Sequence, residues 1–159
     1  MPRAARGVDR RRVYVASPLF SDSEKMFNVM VRDTLVRAFD VYLPQQDGLL
    51  LADLVRTGAP PEEGSRFVFE EDVRALRTCD IVLAVLDGRA IDEGVAFELG
   101  LAWALEKECY GLQTDPRRVL PWGNNPMIAQ ALKRVFTNMA EFEEWVTTEV
   151  EFSQLTANI

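Results

Sequence analysis

The sequence predicts a three-layer α/β sandwich: a doubly wound, five-stranded parallel sheet with helices on both faces. Three observations carry that expectation. Short apolar runs without polar interruption, led by residues 81–86 (Ile-Val-Leu-Ala-Val-Leu), read as strands buried on both faces, as parallel strands are. Segments with helical spacing fall between them, so strand and helix alternate. Turn residues such as Asp87-Gly88 and Gly58-Ala59-Pro60-Pro61 punctuate the alternation.

Residues 1–12 carry Arg3, Arg6, Arg10, Arg11 and Arg12 without an amphipathic pattern. They read as a basic flexible tail ahead of a single domain over 13–159. Residues 13–17 form the first strand, and Ser17-Pro18-Leu19-Phe20 leaves it as a loop. Ser21 followed by Glu24 is a capping-box pair. A helix runs from there to about Phe39, with Phe27, Met30, Val31, Thr34, Leu35 and Ala38 along one side. Residues 41–43 are the second strand, ended by Pro44. Residues 45–64 read as a long irregular segment with one helical turn near 49–56, the kind of loop that often serves as a lid or binding loop. Ser65 is placed as the cap of a helix to about Thr78, with Phe69, Val73 and Leu76 facing inward and Asp72 beside them.

Residues 81–86 are the third strand. The central helix follows from about 91 to 107 and is apolar nearly all round, which predicts burial on every side. Residues 109–113 are the fourth strand. A loop over 114–125, with Trp122-Gly123 in it, leads to Pro126, a favoured first helical position, and a helix through Leu132. Residues 134–136 form the fifth strand and 140–155 a closing helix with Phe142, Trp145, Val146 and Val150 inward. Right-handed crossovers give the flavodoxin-like order 2-1-3-4-5. Its switch point lies between strands 1 and 3, where ligands bind at the carboxyl ends. The loops there are 17–20 and 87–98.

The 159 residues suffice for one domain with a full core. The net charge of −7 argues against nucleic acid or an anionic membrane as partner. No apolar run is long enough to span a bilayer, and no apolar h-region follows the basic start. Cys79 and Cys109 adjoin strands and read as small buried hydrophobes in a reducing, cytoplasmic compartment. The chain contains no histidine. That removes Ser-His and Cys-His catalysis and histidine metal sites, and no metal site is expected. Acid–base work falls to carboxylates, Tyr, Lys or Cys.

Glu98 is a lone carboxylate inside the apolar central helix, costly there unless paired or used. The nearby helix N-terminus favours its charged form. It reads as an ionised, partly dry carboxylate suited to a nucleophile or base, or else as a Glu that escapes to a rim or pairs with an Arg. Asp72, Asp87 and Asp92 lie near the same crevice, with Tyr14 and Ser17 beside them. No Gly-rich dinucleotide fingerprint and no Walker-type loop is present. Several carboxylates around one pocket are equipment for glycosyl transfer, while Asp87, Asp92 and Glu93 also fit solvated loop acids.

These residues resemble the nucleoside 2-deoxyribosyltransferase family. The matching segments are 13–20 (Val-Tyr-Val-Ala-Ser-Pro-Leu-Phe), 43–48 (Leu-Pro-Gln-Gln-Asp-Gly), Asp72 eight residues before Asp80, 92–100 (Asp-Glu-Gly-Val-Ala-Phe-Glu-Leu-Gly), and Asn125-Pro126-Met127. The resemblance implies that Glu98 is the nucleophile forming a covalent 2-deoxyribosyl-enzyme. It implies that Asp92 holds the sugar hydroxyls and orients the nucleophile, and that Asp72 handles the nucleobase proton. Gln45, with Gln46 as the alternative, falls where a glutamine contacts the base. Tyr14 and Phe20 match pocket-lining positions, and Ser17, Asp87, Gly94 and Met127 belong to the matched stretches or the crevice. Asn125 matches a residue lent to a neighbouring subunit's site.

The implied substrates are 2′-deoxyribonucleosides and free purine or pyrimidine bases, with no cofactor. The implied assembly is a homo-oligomer built on dimer units, with tetramer or hexamer left open. Two rivals stand beside that reading. One is an N-glycosidase that uses water and prefers deoxynucleoside 5′-monophosphates, which Ser21 and Ser23 keep open although the first loop has an acid and no Arg. The other is a non-catalytic nucleotide-binding module on the same fold.

Overall fold

The computed structural model of the chain describes residues 10–117 and 123–157. Its elements are β1 (Arg12–Ala16), α1 (Asp22–Leu35), β2 (Asp40–Tyr42), α2 (Pro44–Asp47), α3 (Leu51–Arg56) and α4 (Pro61–Thr78). They continue as β3 (Ile81–Val85), α5 (Glu93–Ala104), β4 (Glu108–Leu112), α6 (Pro126–Ala129), β5 (Arg134–Phe136) and α7 (Met139–Ala157). The five strands pair in parallel in the order β2-β1-β3-β4-β5, the order expected from the sequence.

Why the strand runs lack polar residues is visible in the two cores. Val13 and Val15 of β1, with Ile81 and Leu83 of β3, pack toward α1 and α7. Tyr14 and Ala16, with Val82 and Ala84, pack toward α4 and α5. Successive side chains point to opposite faces, so a strand covered on both sides needs an apolar group at every position. Trp145 of α7 anchors the first core against Phe39, Tyr110, Phe136 and Phe142.

Several boundaries differ from the sequence reading. Arg10, Arg11 and Arg12, assigned to the tail, are held. Arg10 donates to the carbonyls of Val36 and Ala38 beyond the end of α1. Arg11 pairs with Glu108 at 3.0 Å, and the Arg12 backbone N–H donates to Asp80. Exposed carbonyls and acids at the sheet's N-terminal edge capture these guanidinium groups. Residues 1–9 and Trp122 lie outside the described residues.

The irregular segment holds two short helices, α2 and α3. Helix α4 begins at Pro61, not Ser65, because a proline at the first helical position lacks only an N–H that would have no helical partner. Gly64 then lies inside α4, buried, where a Cβ would stand 2.9 Å from the Leu51 side chain. That glycine allows α3 to approach α4. Helices α1 and α6 end earlier than expected, at Leu35 and Ala129.

The largest correction concerns α5. Only Val95, Leu99 and Ala102 are buried, while Phe97 and Trp103 are 57% and 62% exposed. Met30 and Phe69 are also exposed, and Phe69 meets Phe97 ring to ring at 6.1 Å. Cys79 and Cys109 are buried free thiols. No helix among the described residues is long and apolar enough to cross a membrane.

Candidate active site

The site grows from one buried stripe. On α5, residues 95, 98, 99 and 102 share a face at helical spacing, and Val95, Leu99 and Ala102 are buried against the sheet. Glu98 is carried inward with them. Across the packing interface, Tyr14 stands on β1, fully buried on the same side of the sheet. Its hydroxyl donates to Glu98 Oε1 at 2.5 Å.

Burial pushes the Glu98 carboxyl up to about 8, against the opposing pull of the Tyr14 hydrogen bond. The charges of Asp72 and Asp92 push it the same way as burial. The sequence reading expected the helix dipole to keep Glu98 ionised. Glu98 lies past the first turn of α5, where that effect has faded, and desolvation dominates. Burial and the charges of Glu98 and Asp72 raise the Tyr14 phenol, so Tyr14 stays a donor.

Asp72 reaches the same place from α4. It shares a helical face with the buried Ala75 and Leu76. Burial first, and the Glu71 charge second, raise its carboxyl to about 6. Asp72 Oδ1 is buried without a hydrogen-bond partner among the described residues. Asp72 and Glu98 line one cleft of about 440 Å³, walled by Leu51, Phe69, Phe97 and Gly94. Two carboxyls with raised and unequal proton affinities in an apolar cleft suit one nucleophile and one proton donor.

Asp92 is the N-cap of α5: its Oδ1 accepts from Gly94 N at 2.9 Å and Val95 N at 3.1 Å. This accounts for its position whatever else it does. Replacing the cap by Ala is expected to cost about 1 kcal/mol of stability. Thermal unfolding of Asp92→Ala and Asp92→Asn measures it, with Asn, a good cap, retaining most of the parent value. Gly94 sits close under that cap, since a Cβ there would stand 3.1 Å from Asp92 Oδ1.

The remaining sequence candidates are dispersed. Ser17 is buried at the end of β1, and its Oγ is unpartnered among the described residues. Phe20 is exposed in the loop that follows. Gln45 uses both ends of its amide on α1: Oε1 accepts from Asn28 Nδ2 at 2.8 Å, and Nε2 donates to the Lys25 carbonyl at 3.0 Å. Gln46 accepts from Arg32 on the same side. Neither glutamine is brought to the cleft wall in this arrangement.

Asp87 accepts from Thr114 Oγ1 and the Asp115 N–H and so ties the loop after β3 to the loop after β4. Asn125 caps α6 through Met127 N and lines a separate cavity of about 260 Å³ with Asn124 and Gln113. Met127 is 81% exposed. Among the described residues, no group of three or more acidic or thiol side chains is arranged to hold a metal ion.

Two residues escaped the sequence reading. Asn28 is a polar residue on the buried face of α1, with Val31 and Leu35, and that break in an apolar stripe is a readable signal. It clamps Pro18 O and Gln45. Tyr42 of β2 is stacked on Tyr14, and only the strand register that pairs the two reveals it.

A family model described as nucleoside 2-deoxyribosyltransferase matches residues 13–158. No curated protein sequence matches the chain. Among solved structures, the chain resembles a conserved protein from Enterococcus faecalis at a TM-score of 0.73 and 23% identity, over 87% of this chain and 98% of that one. It resembles a 2-deoxyribosyltransferase from Bacillus psychrosaccharolyticus at 0.69 and 23%, over 83% and 90% of the two chains. A CMP N-glycosidase from Clostridium botulinum follows at 0.51 and 14%, over 87% and 99%. At these identities the structural likenesses speak for the fold alone.

Proposed function

Because the chain belongs to the nucleoside 2-deoxyribosyltransferase family, we propose that it exchanges the nucleobase of 2′-deoxyribonucleosides through a covalent deoxyribosyl ester on Glu98. The observation that carries this reading is the part-buried Tyr14–Glu98 hydrogen bond at a cleft that Glu98 shares with Asp72.

The Glu98 carboxylate attacks the anomeric carbon. The glycosidic C–N bond breaks, its electron pair leaves with the base, and the base takes the proton held on Asp72. An incoming base then attacks the same carbon, the ester bond to Glu98 breaks, and Asp72 receives the proton the new base gives up. Two inversions give retention. Positive charge builds on the sugar in both steps. A 2-deoxy sugar, without an electron-withdrawing 2-hydroxyl, tolerates that charge better. The apolar walls exclude water, which strengthens the attraction between Glu98 and the developing cation.

The reactive form carries charge on Glu98 and a proton on Asp72, the less populated of the two one-proton arrangements because Glu98 holds the proton more tightly. Between about pH 6 and about pH 8 the two carboxyls hold one proton between them. Below that window Glu98 is neutral and cannot attack. Above it Asp72 has no proton to give. The exchange rate is expected to be bell-shaped with limbs near those values, and a rate that does not change across the window removes these two groups from the chemistry.

Asp22 and Glu24 in the first turn of α1, with no Arg in residues 17–24, favour substrates without a 5′-phosphate. Ser21 and Ser23 are occupied in capping: Ser21 Oγ accepts from Glu24 N and lies 3.1 Å from Ser23 Oγ. Phe97, Trp103 and Met127 supply exposed apolar surface for a second copy, with Asn125 offered to its site. The deciding experiment incubates a deoxynucleoside with and without a second base. Release that needs the acceptor supports exchange, equal release in both tubes makes the protein an N-glycosidase, and no release in either makes it a binding module.

A further inference from the structure

The cleft that holds Asp72 and Glu98 has one wall that neither α4 nor α5 supplies. Leu51, the first residue of α3, provides it. Along α4 the lining residues Ser65, Phe69, Asp72 and Leu76 share one face, about one turn apart. Leu76 is 1% exposed, so the cleft is shut just past Asp72 on that side. Toward the start of α4 it continues for about two turns, roughly 10 Å, from Asp72 to Ser65. Leu51 stands at that far end, because its side chain lies against Gly64, the neighbour of Ser65.

Gly64 is what lets it stand there. Glycine is a poor helix former, so a buried glycine within α4 calls for a reason. A Cβ at position 64 would come 2.9 Å from Leu51 Cδ1, while the next atom, Leu54 Cβ, is 3.6 Å away. The obstacle is therefore the tip of one side chain. Leu51 is 40% exposed and has the open cleft beside it, so a methyl at position 64 turns that tip into the cleft and leaves α3 seated.

We infer that Leu51 is the end wall that measures the nucleobase, and that Gly64 is a positioning residue for it. The distance left between Leu51 and Asp72 decides between a two-ring purine and a one-ring pyrimidine. This rests on the proposed exchange, in which the base whose proton Asp72 handles lies between those two side chains. Apart from Ser65, that stretch is lined on α4 by Val68 and Phe69, apolar groups that pack against any flat ring and do not tell one base from another by hydrogen bonding. Selection there falls to length.

The test titrates the protein with adenine and with cytosine and takes the ratio of the two affinities. Gly64→Ala shortens the cleft and lowers the adenine-over-cytosine ratio by about tenfold, the low end of what one methyl group against a substrate is worth. Leu51→Ala lengthens the cleft and raises the ratio. On a Leu51→Ala background the tip is gone, and Gly64→Ala leaves the ratio unchanged. A general effect of alanine on α4 would act equally on both backgrounds and on both bases. Leu51→Ala leaves α4 untouched, so it carries the test even if Gly64→Ala folds poorly. Opposite shifts from the two single variants, with none from Gly64→Ala once Leu51 is gone, uphold the proposal. A ratio that stays at the parent value in Leu51→Ala overturns it, as does a parent that binds neither base or an equal Gly64→Ala shift with and without Leu51. Bases that bind and shift in this way without any exchange would sink the exchange reading and leave the end wall standing.

Discussion

Glu98→Ala is expected to lower base exchange by roughly 10³-fold or more, because it removes the atom that bonds the sugar. Intact mass after mixing with a deoxynucleoside gives a second readout: the parent gains one deoxyribosyl group and the variant gains nothing. Glu98→Gln separates chemistry from folding. Its amide oxygen still accepts from Tyr14, so the 2.5 Å contact has an acceptor, but the side chain is no longer an anion. It should fold as the parent does and be as inactive as Glu98→Ala. Parent-level exchange by either variant would remove Glu98 from the nucleophile role and leave its burial unexplained.

That Glu98 stands out in the sequence has a physical cause. A carboxylate at position 98, among Val95, Leu99 and Ala102, is visible as a charge in a stripe that the fold must bury. The doubly covered parallel sheet was legible for a similar reason, since runs with no polar position exclude an open sheet face. The Tyr14 contact was not, because it joins residues 84 positions apart and depends on how α5 is laid across β1. The exposed outer face of α5 could not be read either. Composition reports how apolar a helix is, not which neighbour covers each side, and in one copy of this chain Phe97 and Trp103 remain open. Gln45 shows the opposite limit. Its type and place fit a base contact, yet Asn28 and the Lys25 carbonyl take its amide, and both partners come from a helix that sequence spacing alone does not dock against it.

Asp72→Asn tests the second carboxyl and should leave a different signature. General acid catalysis is worth about 10²- to 10⁴-fold, so exchange should fall by that order for bases that must be protonated to leave. For bases that depart readily as anions the loss should be smaller. The pH profile should also change shape. The alkaline limb reports loss of the one proton the two carboxyls share, which Asn cannot pass to the base, so it disappears. The charge of Asp72 helps to raise Glu98, so with a neutral Asn the Glu98 midpoint falls below about 8 and sets the one remaining limb. The rate should then rise through that limb and stay level. Folding is not at issue, because Asp72 Oδ1 has no partner to lose among the described residues and Asn is isosteric. The deoxyribosyl adduct should still form, more slowly, since the nucleophile is intact. If Asp72→Asn keeps the parent rate and a two-limbed profile, the proton reaches the base by another route, and the raised carboxyl on α4 is a consequence of burial alone.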